Sequence, residues 1–152
     1  MRAIACVLLL LVTACTRPAP PVSFTLTNGE KITLADLRGR VVWLEFWSLS
    51  CAPCIEEMPA MRNLYAQVNP RDVAVIAIAM AWDPPAPVAE FVVREKLSWP
   101  VAFDLDSKVA NAFNVPAVPY RVLIGHDGAI VHREAGRLDA AGWRARIASL
   151  LP

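Results

Sequence analysis

The residues best suited to chemistry are two cysteines, Cys51 and Cys54, with Ala52 and Pro53 between them. This spacing places the sulfurs on adjacent helical turns, close enough to form a bond, and is typical of a redox pair. An apolar run precedes the pair and a helical pattern follows it, so we expect Cys51 at a helix N-terminus, where free N–H groups favour a thiolate. Pro53 suits the first turn of that helix. Such a thiolate attacks a substrate disulfide, and the second cysteine resolves the mixed disulfide.

Two other interpretations of the pair remain open at this stage. Cys-x-x-Cys can be half of a structural zinc site, but that site usually needs two further Cys or His ligands. His126 and His132 are the only histidines, and both lie in a distal predicted hairpin. A structural disulfide would close a loop too short to constrain the unfolded chain much. We therefore predict redox chemistry and no metal.

The N-terminus resembles a targeting signal. One positive charge in Met1-Arg2 precedes ten apolar residues, 3–12, which span only about 15 Å as a helix and cannot cross a membrane. Val-Thr-Ala before Cys15 resembles the lipobox of bacterial lipoproteins, whose cysteine is acylated; an ordinary secretory signal with an incidental Cys15 is the alternative. We expect a signal peptide at 1–14, a lipidated cysteine with a proline-rich tether at 15–21, and one domain at 22–152.

Composition excludes several classes of protein. The 152 residues suit one domain, and with 56% hydrophobic and 19% charged residues the chain is not intrinsically disordered. The formal net charge is +1 and no Lys/Arg cluster exists, so we expect no nucleic-acid partner.

The hydrophobic pattern predicts an α/β domain. Two alternating runs flank Asn28-Gly29 and predict an N-terminal β-hairpin. The runs at 41–47 and 73–81 predict buried strands, and Pro59 should kink a helix over 52–67. The further predicted elements are a helix at 88–97, a strand at 101–103, a helix capped by Asp106 and ending at 113, strands at 120–124 and 130–133, and a final helix capped by Asp139. Strands and helices alternate in the first part of the predicted domain, and a hairpin follows near its end; this order implies a mixed sheet flanked by helices.

Three segments carry a family resemblance. These are Phe-Trp-Ser-Leu-Ser-Cys-Ala-Pro-Cys at 46–54 with Glu-Glu-Met-Pro at 56–59, Leu-Arg-Gly-Arg-Val-Val at 37–42, and Val-Pro-Ala-Val-Pro at 115–119. Together they resemble the TlpA/ResA-like family of membrane-tethered, thioredoxin-fold thiol-disulfide oxidoreductases. The resemblance implies a thioredoxin-like fold, a redox-active disulfide with no other cofactor, and a location at the extracytoplasmic face of a bacterial membrane, in the periplasm or at the cell exterior.

The resemblance also implies roles for single residues. Cys51 would be the nucleophile, Cys54 the resolving thiol, and Pro119 a cis-proline facing the disulfide, while the backbone of Val118 would bind substrate. Glu45, six residues before Cys51, matches a buried acid whose pKa burial raises, which suits proton transfer to and from the resolving thiol. Trp47 matches an active-site tryptophan. Ser50 stands where the family usually carries a partner-binding tryptophan.

These roles favour a reductase of protein disulfides. The resemblance implies apocytochrome c or copper-site cysteines as substrates, a membrane thiol protein as electron donor, and a membrane attachment through lipid. A thiol peroxidase, a copper-binding assembly factor using the same cysteines, and a docking protein with a vestigial pair remain as alternatives.

Overall fold

The computed structural model describes residues 17–152. The predicted signal peptide at 1–14 and the predicted lipidation site Cys15 lie outside this part of the chain. No helix within residues 17–152 is long and apolar enough to cross a membrane.

One eight-stranded mixed sheet organises the described chain. Its strands are β1 Arg17–Pro18, β2 Ser23–Leu26, β3 Lys31–Thr33, β4 Val41–Trp47, β5 Val73–Ala79, β6 Val101–Phe103, β7 Tyr120–Ile124 and β8 Ala129–Ala135, in the spatial order β1-β8-β7-β4-β5-β6-β2-β3. Strands β4, β5 and β6 are parallel to one another, and every other pairing is antiparallel. The α/β architecture, the mixed sheet and the N-terminal hairpin of β2 and β3 confirm the prediction.

Helices cover both faces of this sheet. They are α1 Ala52–Glu56, α2 Met58–Tyr65, α3 Pro85–Arg94, α4 Lys108–Phe113 and α5 Ala140–Ala148, with a 3-10 turn at Leu34–Leu37. Side chains of α1, α2, α3 and α5 pack on one face, while α4 and the 3-10 turn pack on the other. Every residue of β4 and β5 is buried, which explains why both strands are almost continuously apolar in sequence.

The predicted helix over 52–67 is divided into α1 and α2. The break falls at Glu57, and Pro59 lies in the first turn of α2, where its missing N–H costs no hydrogen bond. Helix α3 begins at Pro85 rather than at 88, because Pro85 and Pro87 also fit a first helical turn.

The predicted cap of α4 is wrong. The helix begins after Ser107, and the carboxylate of the buried Asp104 accepts hydrogen bonds from the N–H groups of Val109 and Ala110 at 2.9 and 2.8 Å. Asp106 is exposed; it accepts a 3.3 Å hydrogen bond from the N–H of Lys108 and pairs with the ammonium of the same residue. By contrast, Asp139 caps α5 as predicted, with its carboxylate accepting from the N–H of Gly142 at 3.1 Å.

Part of the segment predicted as a tether belongs to the sheet. Arg17 and Pro18 pair with Ile130 and Ala129 of β8, and the N–H of Ala19 donates to the carbonyl of Gly128 at 2.9 Å. A proline is compatible with this position because β1 is an edge strand. The domain boundary predicted at residue 22 therefore lies inside the folded chain.

Candidate active site

Cys51 and Cys54 form a disulfide between β4 and α2. Cys51 is the N-cap of α1, and its sulfur accepts a hydrogen bond from the N–H of Cys54 at 3.3 Å. Cys51 is partly exposed, whereas Cys54 is 1% exposed and packs into the apolar cluster on the α1 face of the sheet. Only Cys51 is therefore accessible to an incoming disulfide, and Cys54 is placed to react with Cys51 alone.

Glu45, the acid predicted to take part in proton transfer, is buried on the face of the sheet that α1 covers. Glu45 is 1% exposed, and because side chains alternate along a strand it points to the same face as Trp43 and Trp47, where Cys54 also packs. Its Oε2 accepts a hydrogen bond from Trp43 Nε1 at 3.1 Å. Burial raises the pKa of Glu45 to about 8, Arg121 acts to lower it, and the charge of Glu57 raises it further.

Arg121 is a buried cation that the sequence analysis did not identify. It lies on β7 directly opposite Glu45 on β4, with no exposed surface. Its Nε lies 2.9 Å from Glu45 Oε2, which makes an ion pair without hydrogen-bond geometry. Its Nη1 donates a hydrogen bond to the carbonyl of Gly136 at 2.8 Å. Glu45 is the one acid in an otherwise apolar strand, and it needs a buried cation on a neighbouring strand; this need could have pointed to Arg121 from the sequence.

Glu57 completes the charged cluster. It contacts Arg121 Nη2 through Oε1 and accepts from the N–H of Leu138 through Oε2 at 3.0 Å. Glu57 lies three residues after Cys54, so both side chains are on the same side of the kinked helix, and both are buried. Burial raises the pKa of Glu57 despite the opposing effect of Arg121. In the sequence, Glu57 stands out only as part of the Glu-Glu-Met-Pro motif at 56–59.

The Val118–Pro119 peptide bond is cis, as the resemblance implied. Pro119 directly precedes β7, and Tyr120 pairs with Phe46 near the end of β4 that leads to Cys51. Within residues 17–152, the backbone N–H and C=O of Val118 form no hydrogen bonds to other backbone groups. They are therefore free to pair with an extended segment of another chain.

The structure corrects the expected role of Trp47. Its side chain is 1% exposed and packs against Phe91, with ring centroids 5.4 Å apart. Because helices cover this face of β4, Trp47 contributes to the core and is not available as a substrate contact. Ser50 is exposed beside Cys51, and its Oγ lies 2.8 Å from Ser48 Oγ.

The two histidines lie in the hairpin of β7 and β8 and not in the loop or helix that carries Cys51 and Cys54. His132 is on β8, with its Nε2 3.7 Å from Glu134 Oε2, and His126 is in the turn between β7 and β8. Within residues 17–152, no group of three or more His, Cys, Asp or Glu side chains is arranged to hold a metal ion.

The sequence of this chain is similar to those of known proteins. The sequence profile of the AhpC/TSA family matches residues 15–133. The thiol-disulfide oxidoreductase ResA of a Bacillus cereus strain is 37% identical over 120 residues, which are 79% of this chain and 69% of that protein. ResA of Geobacillus kaustophilus is 31% identical over 134 residues, 88% of this chain and 76% of that protein. The chain belongs to the thiol-disulfide oxidoreductases of the AhpC/TSA family.

A solved structure shows the fold. The crystal structure of a thiol:disulfide interchange protein, a thioredoxin family protein from Chlorobium tepidum TLS, superposes with a TM-score of 0.82 at 21% identity, covering 93% of this chain and all of that one. The thioredoxin-like fold predicted from the sequence is confirmed. The protein is an enzyme of thiol-disulfide oxidoreduction, and Cys51 and Cys54 form a disulfide in it.

Proposed function

We propose that the protein reduces disulfides in other proteins outside the cytoplasm, with the cysteine pairs of apocytochrome c or of copper sites as substrates. The observation that carries this proposal is the unequal exposure of the two cysteines above a buried cluster of carboxyl groups. An accessible first sulfur meets the substrate, a buried second sulfur releases it, and the carboxyl groups take up the proton.

The reaction transfers two electrons to the substrate. In the reduced protein, the thiolate of Cys51 attacks one sulfur of the substrate disulfide, forms a mixed disulfide and expels the other substrate sulfur as a thiolate. The thiol of Cys54 then loses its proton and attacks the sulfur of Cys51. The substrate leaves as a dithiol, and the Cys51–Cys54 disulfide seen in the structure is the oxidised product.

Glu45 and Glu57 are the groups suited to receive the proton of Cys54. Both are buried on the face where Cys54 packs, and Arg121 contacts both carboxyl groups. The pKa of Glu45, raised to about 8, keeps its carboxyl able to accept and return a proton near neutral pH, and burial raises the pKa of Glu57 as well. Arg121 positions them and balances part of their charge.

Val118 and Pro119 suit the binding of an extended substrate segment. The free N–H and C=O of Val118 can form strand-like hydrogen bonds with the residues beside the substrate cysteine. These bonds do not depend on the partner's side chains, which fits a reductase that acts on more than one protein.

The direction of electron flow rests on the sequence between the cysteines. Ala52-Pro53 is close to the Gly-Pro of reducing thioredoxins. Because an extracytoplasmic compartment is oxidising, the pair needs a membrane thiol protein to reduce it after each turnover. Acylation of Cys15 would hold the protein at the membrane beside that donor. Mass spectrometry of the purified protein tests this prediction. A mature protein without an acyl group on Cys15 would contradict it.

Trapping the mixed disulfide tests the proposed reaction. Full-length Cys54→Ser protein, incubated with an oxidised Cys-x-x-Cys-His peptide as a mimic of an apocytochrome c site, should form a stable one-to-one adduct through Cys51. The matched Cys51→Ser variant should form no adduct at Cys54, because Cys54 is buried. Adducts of equal yield in both variants, or in neither, would contradict the assigned roles.

A further inference from the structure

An exposed tryptophan lies next to the reactive loop. Trp82, between β5 and α3, is 57% exposed. The other large hydrophobic side chains exposed within residues 17–152 are aliphatic, namely Val93, Leu105 and Val131. Tryptophan carries more apolar surface than any other side chain, so folding alone does not explain its exposure here.

The indole is fixed to the loop that carries Cys51. Trp82 Nε1 donates a hydrogen bond to Ser48 Oγ at 2.8 Å, and the same oxygen lies 2.8 Å from Ser50 Oγ. The carbonyl of Ser48 accepts from the N–H of Cys51 at 3.1 Å. The polar edge of the indole is thus satisfied inside the protein, while its apolar surface remains open to solvent beside Ser50.

Asp83 joins the loop that carries Trp82 to the loop that carries Cys51. It is 5% exposed, and its two carboxylate oxygens accept from Ser48 Oγ at 2.9 Å and from the N–H of Leu49 at 2.7 Å. Since Asp83 follows Trp82 directly, these bonds also set the position of the indole. A partner that binds there meets a preformed surface and loses little entropy in ordering it.

We propose that Trp82 is the docking surface for the partner protein, and that it takes an apolar side chain flanking the partner's reacting cysteine. A cysteine that reaches the sulfur of Cys51 brings its neighbouring residues over Ser50 and the adjoining indole. A rigid, half-exposed tryptophan beside a reactive group has the character of an interface hot spot.

This proposal rests on the proposed function only in that the partner is a protein. Two peptides with an intramolecular disulfide test it, identical except that leucine flanks both cysteines in one and serine in the other. The measured quantity is the ratio of their second-order rate constants for thiol-disulfide exchange with the full-length protein. Exchange is followed in both directions, so a pair that oxidises instead of reducing would contradict the reductase proposal and still report on Trp82.

The protein should prefer the leucine peptide by about tenfold, and Trp82→Ala should abolish that preference. Trp82→Phe should retain most of it, and Val93→Ala, which removes an exposed side chain near the end of α3, should retain all of it. Glutathione disulfide, whose cysteines have no apolar flanking side chain, serves as the reference substrate. A leucine preference that survives in Trp82→Ala, or an equal loss of rate with both peptides and glutathione disulfide, would overturn the proposal.

Discussion

At the scale of single residues, the site places one buried cation among several carboxyl groups. Arg121 contacts Glu45 and Glu57, and its Nη1 lies 3.6 Å from Glu134 Oε1. One guanidinium cannot neutralise all of these carboxylates, and Glu45 Oε1 has no hydrogen-bond partner within the described residues. The cluster therefore retains a proton at pH values where an exposed carboxyl would be ionised.

The raised pKa of Glu45 predicts how stability depends on pH. The carboxyl binds its proton more tightly in the folded protein, so its stabilising contribution is complete below its usual pKa of 4.5 and is lost as the pH rises to about 8. Glu45→Gln keeps the shape of the neutral acid and should remove this loss. The free energy of unfolding of the variant, measured with urea from about pH 5 to about pH 8, should therefore rise relative to the wild type.

Glu56→Gln is the matched control for this measurement. Glu56 lies next to Glu57 but is exposed, and it pairs with Arg137 at the surface at 2.6 Å. Its replacement should change stability by less than about 1 kcal/mol, with no growing difference across this pH range. A Glu45→Gln curve parallel to that of the wild type would show that Glu45 is ionised throughout.

At the scale of elements, the pairing of β4 with β7 creates the charged cluster. The antiparallel register sets Glu45 directly opposite Arg121, and α1 with α2 carries Cys54 and Glu57 over the same face. Strand β4 thus supplies the buried acid and also leads directly into the reactive loop. In the proposed mechanism, proton transfer and sulfur exchange are coupled through this one strand.

Removal of the cation should destabilise this pairing. Arg121→Met leaves the buried carboxyl cluster, which keeps only part of its protons near neutral pH, without its counter-ion and should lower the free energy of unfolding by about 3–5 kcal/mol. The double variant Arg121→Met with Glu45→Gln should recover part of that loss, because one of the uncompensated acids is gone. Urea unfolding of both single variants and the double variant measures the coupling, and strictly additive losses would contradict it.

Helix α4 allows a direct test of its cap. Asp104→Ala removes the acceptor for two backbone N–H groups and should cost about 1–3 kcal/mol of unfolding free energy. Asp106→Ala should change it by less than about 0.5 kcal/mol, since Asp106 is exposed. Equal losses in the two variants would restore Asp106 as the cap.

At the scale of the whole molecule, the sequence predicted most elements, the mixed sheet and the reactive pair. Hydrophobic periodicity identifies strands such as β4 and β5, and the spacing of Cys51 and Cys54 identifies the chemistry. The contacts made by Arg121, Glu57, Asp104 and Trp82 were not predictable in this way. Each depends on side chains that only the folded sheet brings together, and Arg121 and Glu45 lie on strands far apart in sequence.

The site has two parts, one at the surface and one buried. The disulfide and the free backbone of Val118 suit a partner's cysteine segment, and the buried carboxyl cluster suits the proton that the exchange moves. Both parts would serve a reductase or an oxidant, since thiol-disulfide exchange is reversible. The relative stability of the dithiol and disulfide forms decides which direction operates.

The midpoint potential of the Cys51–Cys54 pair is therefore the most direct test of the proposed reductase. It is obtained by equilibrating the purified full-length protein with dithiothreitol or glutathione buffers and measuring the fraction oxidised. We predict a value near about −250 mV or lower, in the range of thioredoxin-type reductants. A value near about −120 mV would make the protein an oxidant and contradict the proposed direction of electron flow.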